Sequence, residues 1–281
     1  MTCREFCKSL GLVGRVLVSD EGINGSVSGH ESKIEEYKKN LLEDKRFSGI
    51  TFKEDEVIEK PFTKMKVKVR DEIVTFGKKV DFEKTGEYLA PEKLKKMYED
   101  KEEFVILDAR NDYEYKAGRF KNAIHLNIKN FRDFPEALKK IENLKDKKIV
   151  TYCTGGIRCE KASAYMKENG FENVMQLKDG IINYGKQFPD TFWEGKCFVF
   201  DKRLISKINS DGETDAKCEV CGKASDLCRN CRNVNCDKLI LECLDCQREL
   251  NGCCSVECLK EFRIQCMEKA LKNQGRRMVE N

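Results

Sequence analysis

The sequence predicts a doubly wound α/β domain in the middle of the chain, a smaller α+β domain before it and a cysteine-rich, metal-binding segment after it. Three observations carry this expectation. Between residues 90 and 195, apolar strand-like runs alternate with helix-like periodicity, the pattern of a parallel sheet covered on both faces. Before residue 75, short alternating strands flank a single amphipathic helix. After residue 217, the chain changes character, and eleven of its sixteen cysteines fall between Cys218 and Cys266. At about 100–200 residues per domain, 281 residues suit this division. The expected boundaries are 1–75, 90–195, a linker at 196–217, and 218–281. Ser, Asn, Asp and Gly cluster at 206–215 as linkers do.

Each element has a local reason. Residues 13–19 (VGRVLVS) read as a strand, Glu21-Gly22-Ile23-Asn24-Gly25 as a turn, and Ser26-Val27-Ser28 as the returning strand. Ile34, Tyr37, Leu41 and Leu42 lie at helical spacing. Ile50-Thr51-Phe52 and Lys66-Val67-Lys68-Val69 read as further strands, which leaves a sandwich with one open sheet face. Pro91 opens a helix marked by Leu94, Met97 and Tyr98. The runs at 104–108, 148–152 and 174–177 are almost continuously apolar, as strands buried on both faces are. A helix from Cys159 to Asn169 ends at Gly170, a C-cap. Residues 260–277 are helical in pattern and rich in Lys and Arg.

Composition narrows the function. Hydrophobic residues make up 40% and charged residues 36%, enough for packed cores. No run approaches the roughly 18 apolar residues of a membrane helix, and residues 1–5 lack the apolar core of a signal peptide. A cytoplasmic setting is expected. In a reducing compartment, sixteen cysteines point to metal binding or thiol chemistry rather than disulfides. With only His30 and His125 present, a metal site must be built almost wholly from thiolate, and a Cys-His catalytic pair would have to use one of these two. The net charge of +4 does not by itself indicate nucleic-acid binding.

The strongest catalytic signal is Cys153-Thr154-Gly155-Gly156-Ile157-Arg158. A cysteine at the carboxyl end of a parallel strand lies where such sheets place their ligands. Two glycines let the backbone curl and aim N–H groups at the sulfur. The following helix adds its positive end, and Arg158 adds a charge. Each favours thiolate and lowers the pKa below the usual value of about 8.5. The same cradle suits a persulfide, a sulfenate or an anionic substrate. Cys159 reads either as a resolving thiol or as a small helix residue. The Gly22-Ile23-Asn24-Gly25 stretch reads as a hairpin connection, with phosphate binding by its N–H groups as the alternative.

The C-terminal cysteines fall into pairs. Tetrahedral zinc takes four thiolates at about 2.3 Å. An interleaved arrangement gives one site from Cys218, Cys221, Cys243 and Cys246, and a second from Cys231, Cys236, Cys254 and Cys258, so two ions are expected. Cys228, Cys253 and Cys266 are spare or alternative ligands. The segment is too short and polar for a core of its own, so the metal would supply folding energy.

The 153–163 stretch, CTGGIRCEKAS, resembles the active-site loop of rhodanese-domain proteins. So do Asp108-Ala109-Arg110, Asp112-Tyr113-Glu114-Tyr115, Gly118-Arg119-Phe120 and Asn122-Ala123-Ile124-His125. The resemblance is narrower still at 14–18 and 21–29 (EGINGSVSG). It is to the oxygen-dependent tRNA uridine hydroxylases, which form 5-hydroxyuridine at the wobble position and share the cysteine-rich C-terminus. The resemblance implies a ferredoxin-like, acylphosphatase-like first domain and a rhodanese-like second one. It also implies tRNA as partner and molecular oxygen as co-substrate. Cys153 would be the catalytic residue, with Thr154, Gly155, Gly156, Ile157, Arg158 and Cys159 around it, and Asp108 and Arg110 bracing the loop. Arg119 stands where many relatives have histidine, which favours anion binding. The family's domain begins with a strand that has no counterpart here, so an N-terminally truncated form is expected, with strand edges left unpaired. Oxygen chemistry makes an iron–sulfur cluster the alternative to structural zinc.

Lys202, Arg203, Lys207, Arg229, Arg232 and the 260–277 tail are candidates for a phosphate-binding surface. Phe192, Trp193, Phe198 and Phe200 are candidates either for stacking on anticodon bases or for packing a domain junction. Two functions compete with tRNA hydroxylation. One is a thiosulfate-type sulfurtransferase carrying a Cys153 persulfide, and the other is a non-enzymatic zinc-bearing adaptor.

Overall fold

The computed structural model describes residues 2–57, 60–199, 205–206, 208, 217–225, 227–236 and 238–279, with backbone alone at 205–206 and 269–279. The chain divides into two units, Met1–Gly77 with Phe200–Arg203, and Lys78–Val199 with Leu204–Asn281.

In the first unit, α1 (Cys3–Ser9) is started by a capping box in which Thr2 and Glu5 satisfy each other's backbone N–H. β1 (Val13–Ser19) and β2 (Gly22–Ser28) form an antiparallel hairpin, α2 spans Glu31–Glu43, and β3 (Met65–Val69) pairs with β1 in parallel. The turn falls at Asp20-Glu21. Asn24 and Gly25, expected in the turn, lie inside β2 opposite Leu17 and Val16. Residues 50–52 form no strand, because β3 takes the open side of β1. The described strands make one continuous sheet in the order β2-β1-β3. The unpaired interior edges expected there are absent, since β3 docks directly on β1. Val16, Tyr37, Cys7, Leu10, Leu12 and Met65 form the core beneath α1 and α2.

The second unit is built on β4 (Glu87–Leu89), α3 (Pro91–Glu99), β5 (Val105–Asp108), α4 (Asp112–Ala117), β6 (Gly118–Phe120) and β7 (Ile124–His125). It continues with α5 (Phe134–Ala137), β8 (Ile149–Tyr152), α6 (Ile157–Glu168), β9 (Val174–Leu177) and α7 (Gly180–Gln187). Five strands, all parallel, run in the order β4-β9-β8-β5-β7. β8 is central and buried along its whole length, which explains its unbroken apolar run. Val150 and Tyr152 face α3 and α7 in a core with Leu94, Met97, Ile181 and Tyr184. The sheet is therefore covered on both faces, with α6 packed on β8 and β9 from the other side.

β10 (Trp193–Gly195) pairs with β6, and β11 (Cys197–Phe198) with β12 (Ile205–Ser206). The expected linker thus begins as structure: Cys197 and Phe198 are buried, and their apolar side chains seal the sheet domain at its border with the cysteine-rich segment. β13 (Cys228–Asn230) and β14 (Leu239–Leu241) form a ribbon, followed by α8 (Leu244–Glu249) and α9 (Val256–Val279). The ribbon rests on α4, where Tyr113 packs with Phe198, Cys228, Leu239 and Leu241. Phe200, Lys202, Arg203, Lys207 and residues 209–216 lie outside the described residues.

Candidate active site and metal centres

Cys153 follows β8 directly and is fully buried. The backbone turns at Gly156, whose φ of +95° suits glycine, and α6 starts at the next residue. Arg158 and Cys159 therefore lie inside the first turn of α6, two residues earlier than the sequence placed the helix start. The Gly156 N–H points at the Cys153 sulfur at 3.1 Å. Burial alone would push this thiol up. Hydrogen bonding from the Cys159 thiol, the Arg158 charge and the N–H groups of Arg158 and Cys159 outweigh it and hold the Cys153 pKa down at about 5. The Cys159 thiol is pushed up by burial and by its bond to Cys153, so it stays protonated and donates. Its side chain also bonds Thr151.

The loop is locked from below. α7 approaches end-on, and Ile181 and Ile182 donate to the carbonyls of Cys153 (3.0 Å) and Thr154 (3.2 Å). Gly180 makes this approach possible. A Cβ there would lie 2.4 Å from the Cys153 carbonyl oxygen and 2.8 Å from the Gly156 nitrogen, and its φ is +69°.

Glu114, which the sequence pointed to only as part of a wider pattern, organises the far side. It is fully buried and takes Arg158 end-on, Nη1 to Oε2 at 2.6 Å and Nη2 to Oε1 at 2.7 Å. Thr154 donates to Oε1 at 3.3 Å and the Asn111 N–H to Oε2 at 3.2 Å. The Asn111-to-Glu114 spacing is that of a capping box, the one sequence signal that could have singled this residue out. Arg158 thus reaches the sulfur with its charge balanced by a carboxylate, not as a free cation.

Asp108 and Arg110 form a second buried pair, with the guanidinium bonded to Asp108 (2.6 and 2.9 Å) and to the Gly118 carbonyl (2.6 Å). Tyr152 donates to Asp108 at 2.6 Å. The pair therefore bonds to β8 one residue before Cys153. The guanidinium also lies over the Tyr152 and Trp193 rings. His125 uses both ring nitrogens on backbone groups: Nδ1 accepts from the Asn127 N–H and Nε2 donates to the Arg110 carbonyl. It is not held as a base for the thiol. Arg119 lies over the Tyr115 ring and against Glu194.

The described aromatic candidates pack rather than present a stacking surface. Trp193 and Phe198 are buried, and the Phe192 ring stacks on Tyr98 at 4.5 Å. Of the two readings, packing is the one seen for these three: Trp193 and Phe192 join the core of the sheet domain, and Phe198 packs against Cys228 and Leu241 of the ribbon. Arg229 bonds Gln247, and Arg232 bonds Asn251 beneath the Phe262 ring. Both bond within the cysteine-rich segment, and Arg232 remains exposed.

In that segment the sulfurs of Cys218, Cys221, Cys243 and Cys246 lie within 4.8 Å of one another, and so do those of Cys231, Cys236, Cys254 and Cys258. The spacing tests the fit to a metal. Two ligands of one tetrahedral zinc ion sit ~3.8 Å apart. The Cys221–Cys243, Cys236–Cys254 and Cys254–Cys258 sulfurs are 3.6, 3.7 and 3.5 Å apart. The Cys254 N–H also points at the Cys231 sulfur (3.4 Å), as amides do around thiolate ligands. Each four-sulfur group fits one ion. A cluster, with its metal–metal edges, would hold the sulfurs farther apart. Cys228, Cys253 and Cys266 stand outside both groups.

Comparison with known proteins gives three consecutive family matches. The UPF0176 acylphosphatase-like domain matches residues 1–73, the rhodanese-like domain 90–187 and the rhodanase C-terminal domain 194–259. The tRNA uridine(34) hydroxylase of Cytophaga hutchinsonii is 44% identical over 255 residues, 90% of this chain and 81% of that protein. The protein of the same name in Staphylococcus saprophyticus is 46% identical over 272 residues, 94% of this chain and 85% of its own. Among solved structures, the rhodanese-like domain of an Anabaena protein is 27% identical, covers 38% of this chain and 78% of its own, and superposes with a TM-score of 0.33. With relatives this similar along nearly the whole sequence, the chain belongs to the tRNA uridine(34) hydroxylase family.

Proposed function

We propose that this protein hydroxylates C5 of uridine 34 in tRNA, with molecular oxygen as co-substrate and Cys153 as the reacting group. The observation that carries the substrate is the 44–46% identity to proteins named tRNA uridine(34) hydroxylase over about 90% of the chain. The role of Cys153 rests on geometry: one buried sulfur, held as thiolate by an amide, a thiol and a paired arginine at the end of the central strand. The net reaction replaces C5–H by C5–OH. One oxygen atom enters the ring and the other leaves as water, with two electrons and two protons supplied by an external reductant.

The residues of the loop divide this work. Gly155 and Gly156 let the backbone fold around the sulfur. Cys159 supplies a proton donor that never competes as a second thiolate. Thr154 and Arg158 are fixed through Glu114, and Asp108 with Arg110 fixes the strand end. In the C-terminal segment, the two four-cysteine groups hold one zinc ion each, which ties together a polypeptide with little core of its own. A tRNA substrate makes the cytoplasm the place of action.

The rhodanese-like match also keeps sulfur transfer through a Cys153 persulfide as a second reading, and one experiment separates the two. Nucleosides are analysed from cells lacking the gene and from the same cells given back the wild type or Cys153→Ala. The hydroxylase reading expects 5-hydroxyuridine to vanish, to return with the wild type and to stay absent with the variant. Unchanged nucleosides with fast thiosulfate turnover would replace it with sulfur transfer. Silence in both assays would leave a zinc-bearing adaptor.

A further inference from the structure

The first unit presents a sheet face that neither of its helices covers. Val16 and Val18 of β1, Ile23 and Val27 of β2, and Met65 and Val67 of β3 point into the core beneath α1 and α2. Successive strand residues alternate, so those between them share the opposite face. In register, Arg15 lies between Ser26 and Lys66, and Leu17 between Asn24 and Lys68. Arg15, Ser26, Lys66 and Lys68 are exposed. The three cations make no hydrogen bond or ion pair among the described residues, and no strand of the sheet contains an acidic residue. Of the acids that flank the strands, Glu21 accepts from the Ile73 N–H and Glu72 from those of Phe76 and Gly77, while Asp20 and Asp71 lie in the turns beyond the strand ends.

This arrangement is costly for folding alone. Like charges directly opposite on neighbouring strands repel, and Arg15 stands directly opposite Lys66. Lysine on an edge strand discourages pairing with other chains, but that accounts for β3 and not for an arginine on the central strand. A polyanion laid across the strands relieves all three charges at once, and the exposed Ser26 adds a small polar partner beside them, whereas the Asn24 amide is already held by the Ile73 carbonyl. A lipid surface would call for exposed apolar anchors among the cations, whereas Leu17 is half-buried.

We propose that this face is the docking surface for the phosphodiester backbone of tRNA, with Arg15, Lys66 and Lys68 as phosphate contacts. The proposal rests on tRNA being the substrate. Each phosphate neutralised contributes about 0.7–0.9 to the slope of log K against log salt concentration, so three contacts are worth a slope of about 2–3.

The test uses the full chain and an unmodified tRNA transcript carrying uridine 34, with binding followed across a salt titration. The sheet variant is Arg15→Gln/Lys66→Gln/Lys68→Gln. The control, Lys8→Gln/Lys33→Gln/Lys39→Gln, removes the same charge from the helix layer. The sheet variant is expected to lose at least tenfold in affinity and about 2–3 in slope, while its thermal melt and its rate of Cys153 alkylation stay those of the wild type. Wild-type slope and affinity in the sheet variant, or an equal loss in the control, would overturn the proposal while leaving the hydroxylase reading in place. So would a sheet variant that loses binding to phosphatidylserine vesicles but not to tRNA. A wild-type chain that neither binds tRNA nor forms product would overturn the hydroxylase reading, and this proposal with it.

Discussion

At the Cys153 sulfur, burial works against ionisation and is outweighed by a thiol, an arginine and backbone N–H groups. With the pKa near 5, the thiolate predominates at neutral pH. Its rate of alkylation by iodoacetamide should then be flat from pH 8 to 6 and fall about tenfold per pH unit below about 5. A fall that begins near pH 8.5, the value of a free cysteine, would contradict the cradle. Glu114 is the other residue on which the site turns. Its carboxylate holds Arg158, Thr154 and the start of α4 at once. Glu114→Gln strands a buried guanidinium and should cost about 3 kcal/mol in a urea melt; no loss would mean that the pair is dispensable. The cysteine loop was legible from its own residues, because two glycines and an arginine after a strand have few other uses. Glu114 was not, because its partner lies forty-four residues away and nothing local marks it beyond a helix cap.

Among the elements, α4 stands between the two cysteine chemistries. One side carries Glu114 to the catalytic loop, while Tyr113 packs on Phe198 and the β13–β14 ribbon that joins the two four-cysteine groups. Cys221 and Cys236 are exposed, so each group is open to a chelator on one side. The purified chain should contain two zinc ions and be colourless. Chelation should release both and lower the thermal melt, because the metal supplies folding energy that residues 218–259 lack. A chain whose melt is unchanged by chelation would show that the segment folds without metal. The interleaved cysteine pairs could be read from spacing, since each short pair is presented by one turn. The strand at 50–52 could not be read correctly. Its apolar residues satisfy a strand pattern, but the place beside β1 is filled by β3, which lies farther along the chain. The aromatics after residue 190 were ambiguous for the same reason: a sequence shows a ring but not the Tyr98 or Phe120 it packs on.

Over the whole molecule, the three family matches follow one another along the chain, and each brings a different chemistry. The first unit offers a cationic sheet face, the rhodanese-like sheet a buried thiolate, and the C-terminal segment eight convergent sulfurs. The order of these parts was readable because strand–helix alternation sets in after Pro91 and the cysteines crowd together after residue 217. The joining of the sheet domain and the cysteine-rich segment into one unit was not, because it depends on buried contacts made by Cys197 and Phe198 within the stretch that reads as linker. The proposed function requires the Cys153 thiolate to direct an oxygen atom from molecular oxygen onto uridine 34. The mass of 5-hydroxyuridine formed under oxygen-18 gas, in cells carrying the wild type or Cys153→Ser, tests this requirement. The expected product is two mass units heavier with the wild type and missing with the variant. Product of unshifted mass, or equal labelled product from Cys153→Ser, would contradict it.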